Sequence, residues 1–243
     1  MGKGFKYDGM HSDDLHITLT GKNVPIVPSL VEHFETIAGR DGAWDFGVQY
    51  GTRTIELDCI ILAVNPQDLK NKLRALAGFF NPRRAARPLI FDDDPTKIYF
   101  ARLTGQLPLA QIGSLGSFTL HMTCPDPFVY STNEEIISGT EMIYVTNEGT
   151  HYAQPTLIVV HNGGAGKVTL NRSDGKVQEL SFASNSPSGT YTINCKEGTI
   201  VRNNTGAYKF VTGDFFQLPE GVNTIEKNGG VDNIEVRYRH TWI

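Results

Sequence analysis

The stretch from Thr52 to Phe80 reads TRTIELDCIILAVNPQDLKNKLRALAGFF, and it contains the clearest strand and the clearest helix of the chain. Its first half alternates. Arg53 and a series of apolar side chains fall on one face of an extended chain, and threonine and carboxylate side chains fall on the other. Because successive side chains of a strand point to opposite faces of the sheet, this pattern predicts a half-buried strand over Thr52 to Leu62.

The second half of the stretch changes to the period of a helix. Asn65 suits the N-cap, and Pro66 suits the first helical position because a proline has no N–H to leave unpaired there. The leucines that follow recur at helical spacing and form one apolar stripe. The pattern predicts an amphipathic helix over about 66–80 that covers one face of a sheet, with Gly78 marking its end.

The remainder of the chain favours strands. Ser117 to Thr123 alternates like the first strand, and in the second half turn residues recur roughly every ten positions. Two of these turns, Asn162-Gly163-Gly164 and Lys227-Asn228-Gly229-Gly230, predict breaks between short strands. The fold class is therefore mostly β (α+β), and the dense turns of the second half are typical of a two-sheet sandwich.

Two prolines mark the expected domain boundary. Pro125 and Pro127 favour extended, stiff backbone. The helix lies before them, and no helical pattern follows them. We expect an N-terminal domain over 1–130 and a C-terminal β-sandwich over 131–243.

Composition and charge exclude several classes of protein. The chain has 243 residues, of which 40% are hydrophobic and 20% are charged, so it can bury a core without disulfides. Its formal net charge of −4 argues against a protein that mainly binds nucleic acid, because that needs clustered Lys and Arg. No apolar run approaches the ~20 residues of a membrane helix, so we expect no membrane insertion.

The three cysteines are far apart and odd in number, which predicts buried, unpaired thiols in a reducing compartment; they are Cys59, Cys124 and Cys195. One of them, Cys124, follows His121 by three positions on or near one strand. The two side chains are then expected on opposite faces of the sheet, where they cannot easily act as nucleophile and base.

No other pattern indicates a catalytic centre, a cofactor or a metal. The run from Gly163 to Lys167 resembles a phosphate loop, but it lacks the G-x-x-x-x-G-K-[ST] spacing and a following helix, so we interpret it as a hairpin turn. His11 and His16 flank Asp13-Asp14, where a solvated loop is favoured over a metal cluster. We therefore expect a protein that is not an enzyme.

Two charged loops are the candidate interface. One places three arginines within five residues, and the other places three aspartates before Pro95. Either loop could simply be solvated, and the acidic turn could hold a cation or bond its own backbone. The functional interpretation is a subunit contact in which the basic loop meets the acidic turn. The predicted interface residues are Arg83, Arg84, Arg87, Asp92, Asp93 and Asp94.

An ordered set of motifs spans most of the chain. Its members are the Asp41–Gly47 turn, Tyr50–Arg53, the Leu69–Phe80 helix, Leu89–Pro95, Tyr99–Arg102, Phe118–Leu120, Cys124–Tyr130, Asn147–Thr150, Ala153–Pro155 and Leu218–Asn223. In this order they resemble the distal tail proteins (Dit) of long-tailed, siphovirus-type bacteriophages. These are signatures of packing and turns, not of catalysis.

The resemblance implies an N-terminal β-sandwich-like domain with one helix, which forms a homo-hexameric ring, and a galectin-like β-sandwich on the outside of that ring. It implies a structural virion protein at the tail tip, assembled in the host cytoplasm and carrying no cofactor. The implied partners are the tail tube protein, the tail-associated lysin or tail fibre hub protein, and the tape measure and receptor-binding proteins. DNA would pass only transiently through the bore, which we expect to carry more Asp and Glu than Lys and Arg.

A closed ring needs two different, complementary patches on each subunit. We expect the strand pair around Lys97–Thr123 to form an arm that reaches a neighbour. Two other functions stay open. The C-terminal half could bind host cell-wall sugars on aromatic rings, or the chain could be another tail subunit such as the tube protein. The candidate rings are Tyr144, Tyr152, Tyr191, Tyr208, Phe210 and Trp242.

Overall fold

The computed structural model describes residues 4–243, so the first three residues of the expected 1–130 domain lie outside the described part. The chain divides into two compact units, residues 4–129 with Ile243 and residues 130–242. Each unit has its own buried apolar core. Both are built from antiparallel strands, and one helix is present among the described residues. The prediction of a mostly-β chain with a single helix is confirmed.

The N-terminal unit consists of an antiparallel sheet, a separate two-stranded hairpin and a helix. Its elements are β1 Phe5–Tyr7, β2 Met10–His11, β3 Ile17–Asn23, β4 Leu30–Glu35, β5 Trp44–Tyr50, β6 Arg53–Leu62, α1 Pro66–Phe79, β7 Arg87–Phe91, β8 Asp94–Leu103, β9 Ala110–Ile112 and β10 Leu115–Cys124. The sheet runs in the order β2-β1-β7-β8-β10-β6-β3, and β9 pairs with β10. Among residues 4–243, strands β4 and β5 pair only with each other.

The centre of this sheet is the pair formed by β6 and β10. They are in register over ten residue pairs, from Leu62 opposite Leu115 to Arg53 opposite Cys124. Burial alternates along both strands, as the two sequence patterns predict. The inward side chains include Leu57 and the methionine of β10, which are fully buried in the core. The two predicted strands are confirmed.

Helix α1 begins where the sequence predicts. The side-chain oxygen of Asn65 accepts the backbone N–H of Asp68 at 2.9 Å, which satisfies a donor that the first turn leaves unpaired. The helix ends at Phe79, and the N–H of Phe80 donates to the Leu76 carbonyl at 2.8 Å. The span over about 66–80 is therefore confirmed, but Gly78 lies inside the last turn and does not end the helix.

Strand β11, Val129–Ser131, contains the boundary between the units. The strands of the C-terminal unit are β12 Glu135–Gly139, β13 Ile143–Asn147, β14 Thr156–Asn171, β15 Val177–Phe182, β16 Gly189–Asn194, β17 Thr199–Arg202, β18 Thr205–Gly206, β19 Val211–Gly213, β20 Gly221–Tyr238 and β21 Thr241–Trp242. The main path is β12-β20-β14-β16-β17-β18. Strand β13 adds to β20, and β15 joins β14 to β19.

Two long, bent strands organise the C-terminal unit. The first half of β14 pairs with β16, its second half pairs with β15, and β20 pairs with β14 on both sides of the bend. Side chains from both halves of β14 belong to one core, among them Leu157 and Leu170. The sheet therefore folds over a single apolar core.

The bend corrects two sequence predictions. The run from Gly163 to Lys167 is not a hairpin turn but the bulged middle of β14, and Gly229 lies inside β20. The ladder changes register between His161 and Gly166, and Gly163 and Gly229 have φ angles of +99° and +65°. Glycine adopts such angles without steric cost, so at these positions it bends a continuing strand and does not end it.

Candidate subunit interface

The β4–β5 hairpin stands apart from the sheet of its own unit. It is a two-stranded sheet in register from Leu30 opposite Tyr50 to Glu35 opposite Trp44, with a bulge between Glu32 and Phe34. All thirteen residues of its two strands are exposed. An isolated two-stranded hairpin is marginally stable in water, so this one needs additional contacts to keep its shape.

The hairpin exposes far more apolar surface than a solvated loop requires. The side chain of Phe46 is 67% exposed, and that of Ile26, just before the hairpin, is 89% exposed. Continuous exposed apolar surface marks sites of association in soluble proteins. The large apolar side chains exposed on the two strands are Leu30, Val31, Phe34, Trp44, Phe46, Val48 and Tyr50.

The base of the hairpin is tied to the rest of the N-terminal unit by hydrogen bonds and a ring contact. The Ser29 hydroxyl donates to the Thr52 carbonyl at 2.7 Å, and the Gly51 N–H donates to the Ser29 carbonyl at 2.6 Å. The ring of Tyr50 meets that of Phe128 edge to face at 5.7 Å. These contacts fix the direction in which the hairpin leaves the unit.

The hairpin is also acidic. Between residues 30 and 50 the chain has four carboxylates, at Glu32, Glu35, Asp41 and Asp45, and only one Lys or Arg, at Arg40. The Arg40 guanidinium lies over the Trp44 ring at 4.5 Å. Within the described chain, no ion pair engages Glu32, Glu35 or Asp41.

The predicted basic loop is exposed, as an interface requires. Arg83 and Arg84 lie on the surface just after α1, and no carboxylate of the described residues pairs with them. Arg87 opens β7, with one guanidinium nitrogen 3.9 Å from a carboxylate oxygen of Asp8. The loop is therefore largely free to bind an external anion.

The predicted acidic turn is already occupied. Asp92 and Asp93 form the two-residue turn between β7 and β8. The Asp92 carboxylate bonds the Nε2 of His11 at 3.1 Å, and the Asp93 carboxylate accepts from Lys22 at 2.6 Å. The Thr96 hydroxyl donates to Asp94 at 3.0 Å.

The two predicted charge groups do not meet within one chain. Arg87 opens β7 and Asp92 follows its last residue, so they lie at opposite ends of that strand. Four steps of ~3.3 Å separate these ends by roughly 13 Å. The structure brings the acidic turn to His11 and Lys22, not to the arginines.

Most of the segment Lys97–Thr123, for which the sequence predicts an arm, is paired within its own unit. Strand β10 pairs with β6 along its whole length, and β8 pairs with β7. The projecting element is the β4–β5 hairpin, and Trp44 to Gly47, taken from the sequence as part of a turn, form the start of β5. The signal available in the sequence is the apolar alternation of Trp44, Phe46 and Val48.

The candidate chemistry of the cysteines and histidines has structural explanations. Burial raises the pKa of the Cys59, Cys124 and Cys195 thiols to about 12, so none is a ready nucleophile at neutral pH. Cys124 faces the core, whereas His121 faces outward, 3.6 Å from a carboxylate oxygen of Glu56.

Of the two histidines near the N-terminus, His11 is held between two carboxylates. The Nδ1 of His11 lies 3.3 Å from a carboxylate oxygen of Asp13, and its Nε2 bonds Asp92. Among residues 4–243, no group of three or more His, Cys, Asp or Glu side chains is arranged to hold a metal ion. In the same part of the chain, no helix has the length and apolarity needed to span a membrane.

The aromatic side chains proposed for sugar stacking are divided between core and surface. Tyr191 is fully buried, and Phe210 packs against the core of the C-terminal unit. Trp242 is half-buried. The exposed rings are Tyr144, Tyr152 and Tyr208.

Two family models match this chain in sequence order. Residues 13–124 match the model described as a phage tail protein RIFT-related domain, and residues 148–242 match that of the siphovirus-type tail component, C-terminal domain. Among curated proteins, the distal tail protein of Bacillus phage SPP1 is 26% identical over 230 residues, which cover 91% of this chain and 89% of the relative.

Solved structures show the same fold. The crystal structure of SPP1 Dit, described as a paradigm of the hub adsorption apparatus in phages that infect Gram-positive bacteria, has a TM-score of 0.80 at 20% identity and full coverage of both chains. A chain of the phage P2 baseplate, in its activated conformation with Ca, has a TM-score of 0.54 at 6% identity, covering 99% of this chain and 98% of that one.

The matched models define the class of protein, a structural component of the siphovirus-type phage tail. The chain belongs to the distal tail protein family, Dit. It is accordingly a virion protein of the tail, which associates with other tail components. The resemblance seen in the sequence is confirmed.

Proposed function

We propose that copies of this chain close into a hexameric ring at the distal end of the tail, and that the β4–β5 hairpin is the contact that builds it. The exposed hairpin is the observation that carries the proposal. Its apolar side chains are solvated in a single copy, and covering them with a neighbour removes them from water. Each buried Å² of apolar surface contributes about 25 cal/mol before the entropic and desolvation costs of association are subtracted.

A projecting contact of this kind favours a ring over a symmetric dimer. The hairpin and the surface that receives it are different patches, so each copy donates one and accepts the other. Such head-to-tail contacts generate a closed ring when the rotation per subunit closes. The family resemblance supplies the number six.

The ring is proposed to join the tail tube to the tail-associated lysin or fibre hub and to the receptor-binding apparatus. The tape measure protein belongs to the same set of neighbours, and assembly takes place in the host cytoplasm. The proposal gives this chain a purely structural role, with no catalysis and no cofactor. DNA passes through a bore with more acidic than basic side chains, because a basic lining would retain phosphates.

The solution mass of the full chain and of a hairpin variant tests this function. We expect the purified protein to have the mass of six copies by native mass spectrometry. The variant Phe34→Ser/Phe46→Ser loses apolar surface on the hairpin and is expected to remain a folded monomer, with the far-ultraviolet circular dichroism of the parent chain.

The matched control is Val177→Ser/Val222→Ser, which removes two similarly exposed side chains from the C-terminal unit. We expect it to keep the mass of the ring. A wild-type protein that is monomeric at every concentration tested contradicts the ring, and a hairpin variant that still assembles removes the hairpin from the contact.

A further inference from the structure

A second surface of the N-terminal unit has the opposite charge to the hairpin. From Leu69 to Phe91 the chain contains six Lys and Arg residues and no Asp or Glu. Lys72 is paired with Asp68 at 3.2 Å, and Arg87 lies near Asp8. The other four cations have no ion pair with a described residue and are exposed. This basic surface consists of Lys70 and Arg74 on α1 and Arg83 and Arg84 in the loop that follows.

The exposed residues that lie between these basic residues in the sequence include several with small side chains. The exposed small residues are Ala75, Ala77, Gly78, Pro82 and Ala85. Gly78 has no atom within 4 Å of the position its Cβ would occupy. Small residues let another backbone approach closely, so an extended strand pair can lie against this surface while long basic side chains reach its carboxylates.

The acidic turn of a second copy of this chain is a poor partner for these cations. Asp92 and Asp93 already have His11 and Lys22 within bonding distance, and binding elsewhere would break those contacts. The carboxylates of Glu32 and Glu35 have no such partner, and they stand on β4 beside exposed apolar side chains that need covering. Unpaired charge of opposite sign therefore occurs on two separate surfaces of the same unit.

We propose that the β4–β5 hairpin of one copy docks on the basic surface of the next, with Glu32 and Glu35 neutralising Arg83 and Arg84. The inference rests on the ring proposed above and specifies its second patch. The apolar side chains supply the driving force, and the charges set the partner and the register. Two hairpins would repel each other, as would two basic surfaces, so only the head-to-tail contact satisfies both.

Charge reversal on each side tests the pairing. The variants Glu32→Lys/Glu35→Lys and Arg83→Glu/Arg84→Glu each turn attractive contacts into repulsive ones at every interface of the ring. We expect both to raise the protein concentration needed for half-assembly by at least about tenfold, and both to assemble less readily as salt is lowered. Added salt should weaken assembly of the wild-type protein instead.

Mixing the two variants gives the sharper result. The Lys-bearing hairpin of the first variant is complementary to the Glu-bearing loop of the second. The unchanged hairpin of the second variant is complementary to the unchanged loop of the first. An equimolar mixture is therefore expected to form rings in which the two variants alternate, three copies of each, visible as one mass by native mass spectrometry. The single chain carrying all four substitutions should assemble alone.

The control Glu141→Lys/Glu197→Lys makes the same charge change at exposed sites of the C-terminal unit and should leave assembly unchanged. If the wild-type protein forms rings but the mixture and the fourfold variant do not, the pairing is wrong and the ring stands. If Arg83→Glu/Arg84→Glu assembles like wild type, the basic surface is not the patch that receives the hairpin. A monomeric wild type instead contradicts the ring itself.

Discussion

Arg53 carries a charged group into the core of the N-terminal unit and is 2% exposed. Its Nε donates to the Pro127 carbonyl at 2.8 Å, and its Nη1 donates to the Pro25 carbonyl at 2.7 Å. One side chain thus ties the central strand β6 to the segment before the hairpin and to the segment before the unit boundary. This explains why an arginine occupies an apolar face.

Replacing Arg53 with alanine is expected to destabilise the N-terminal unit by about 2–4 kcal/mol, because one buried and one partly buried carbonyl lose charged donors. We expect a lower urea midpoint for this unit. Exposure of the Cys59 and Cys124 thiols to a labelling reagent monitors its unfolding, and Cys195 monitors the other unit. Arg102→Ala, at an exposed position of β8, is the control. A midpoint equal to that of the control would show that Arg53 is dispensable.

In the C-terminal unit, His161 is a buried titratable residue, as Arg53 is in the N-terminal unit. It is 1% exposed, its ring stacks on Phe182 at 4.4 Å, and its Nδ1 accepts the Gly163 N–H at 2.9 Å. Burial lowers the pKa of His161, and the Pro187 carbonyl offsets part of that effect. The folded chain therefore holds this imidazole neutral where an unfolded chain would begin to protonate it.

The sign of the pH dependence follows. Below the ordinary histidine pKa of about 6.5 the unfolded state binds the proton more readily, so the stability of the unit falls as pH decreases through and below that value. Trp242 fluorescence in a Trp44→Phe background reports this unit, since the chain has two tryptophans. We expect the free energy of unfolding of the His161→Phe variant to fall less steeply than that of the parent chain between about pH 7.5 and about pH 5. An unchanged slope would contradict the assignment.

At the scale of elements, three could be predicted from the sequence. Strands β6 and β10 show alternating burial in their sequence pattern, and α1 combines an N-cap residue with leucines at helical spacing. Each depends on local side-chain pattern and on one buried face. The glycine runs of β14 and β20 were not predictable in this way. A pair of glycines is equally suited to a hairpin turn and to a bulge, and only the pairing of two distant strands decides between them.

The bend itself is testable at Gly230. A Cβ at this position would clash with the Gly163 carbonyl oxygen, so the two strands cannot keep their spacing. Gly230→Ala is expected to destabilise the C-terminal unit by about 1–3 kcal/mol, measured by urea unfolding with Trp242 as reporter. Gly206→Ala meets no atom closer than 4.0 Å and should have little effect. Equal midpoints for the two variants would mean that the bend tolerates a side chain.

At the scale of the whole molecule, the sequence singled out the charged loops as candidate interface but not the hairpin. Clustered charge pointed to a subunit contact at Arg83 and Arg84, which the structure leaves exposed. It did not point to the hairpin. Trp44, Phe46 and Val48 alternate, but every residue of the two strands is exposed, so this alternation marks no buried face within one chain.

The same scale decides between a hub and a tube. A distal ring must stop at one closed turn, whereas a tube subunit stacks without limit. Both would contain the head-to-tail contact, so mass alone at one concentration does not separate them. The shape of the assembly does.

Electron microscopy of the purified full chain is the most direct test. We expect discrete rings with six-fold symmetry, an open axial hole and no growth into filaments as concentration rises. Solitary particles, or tubes that lengthen with concentration, would contradict it.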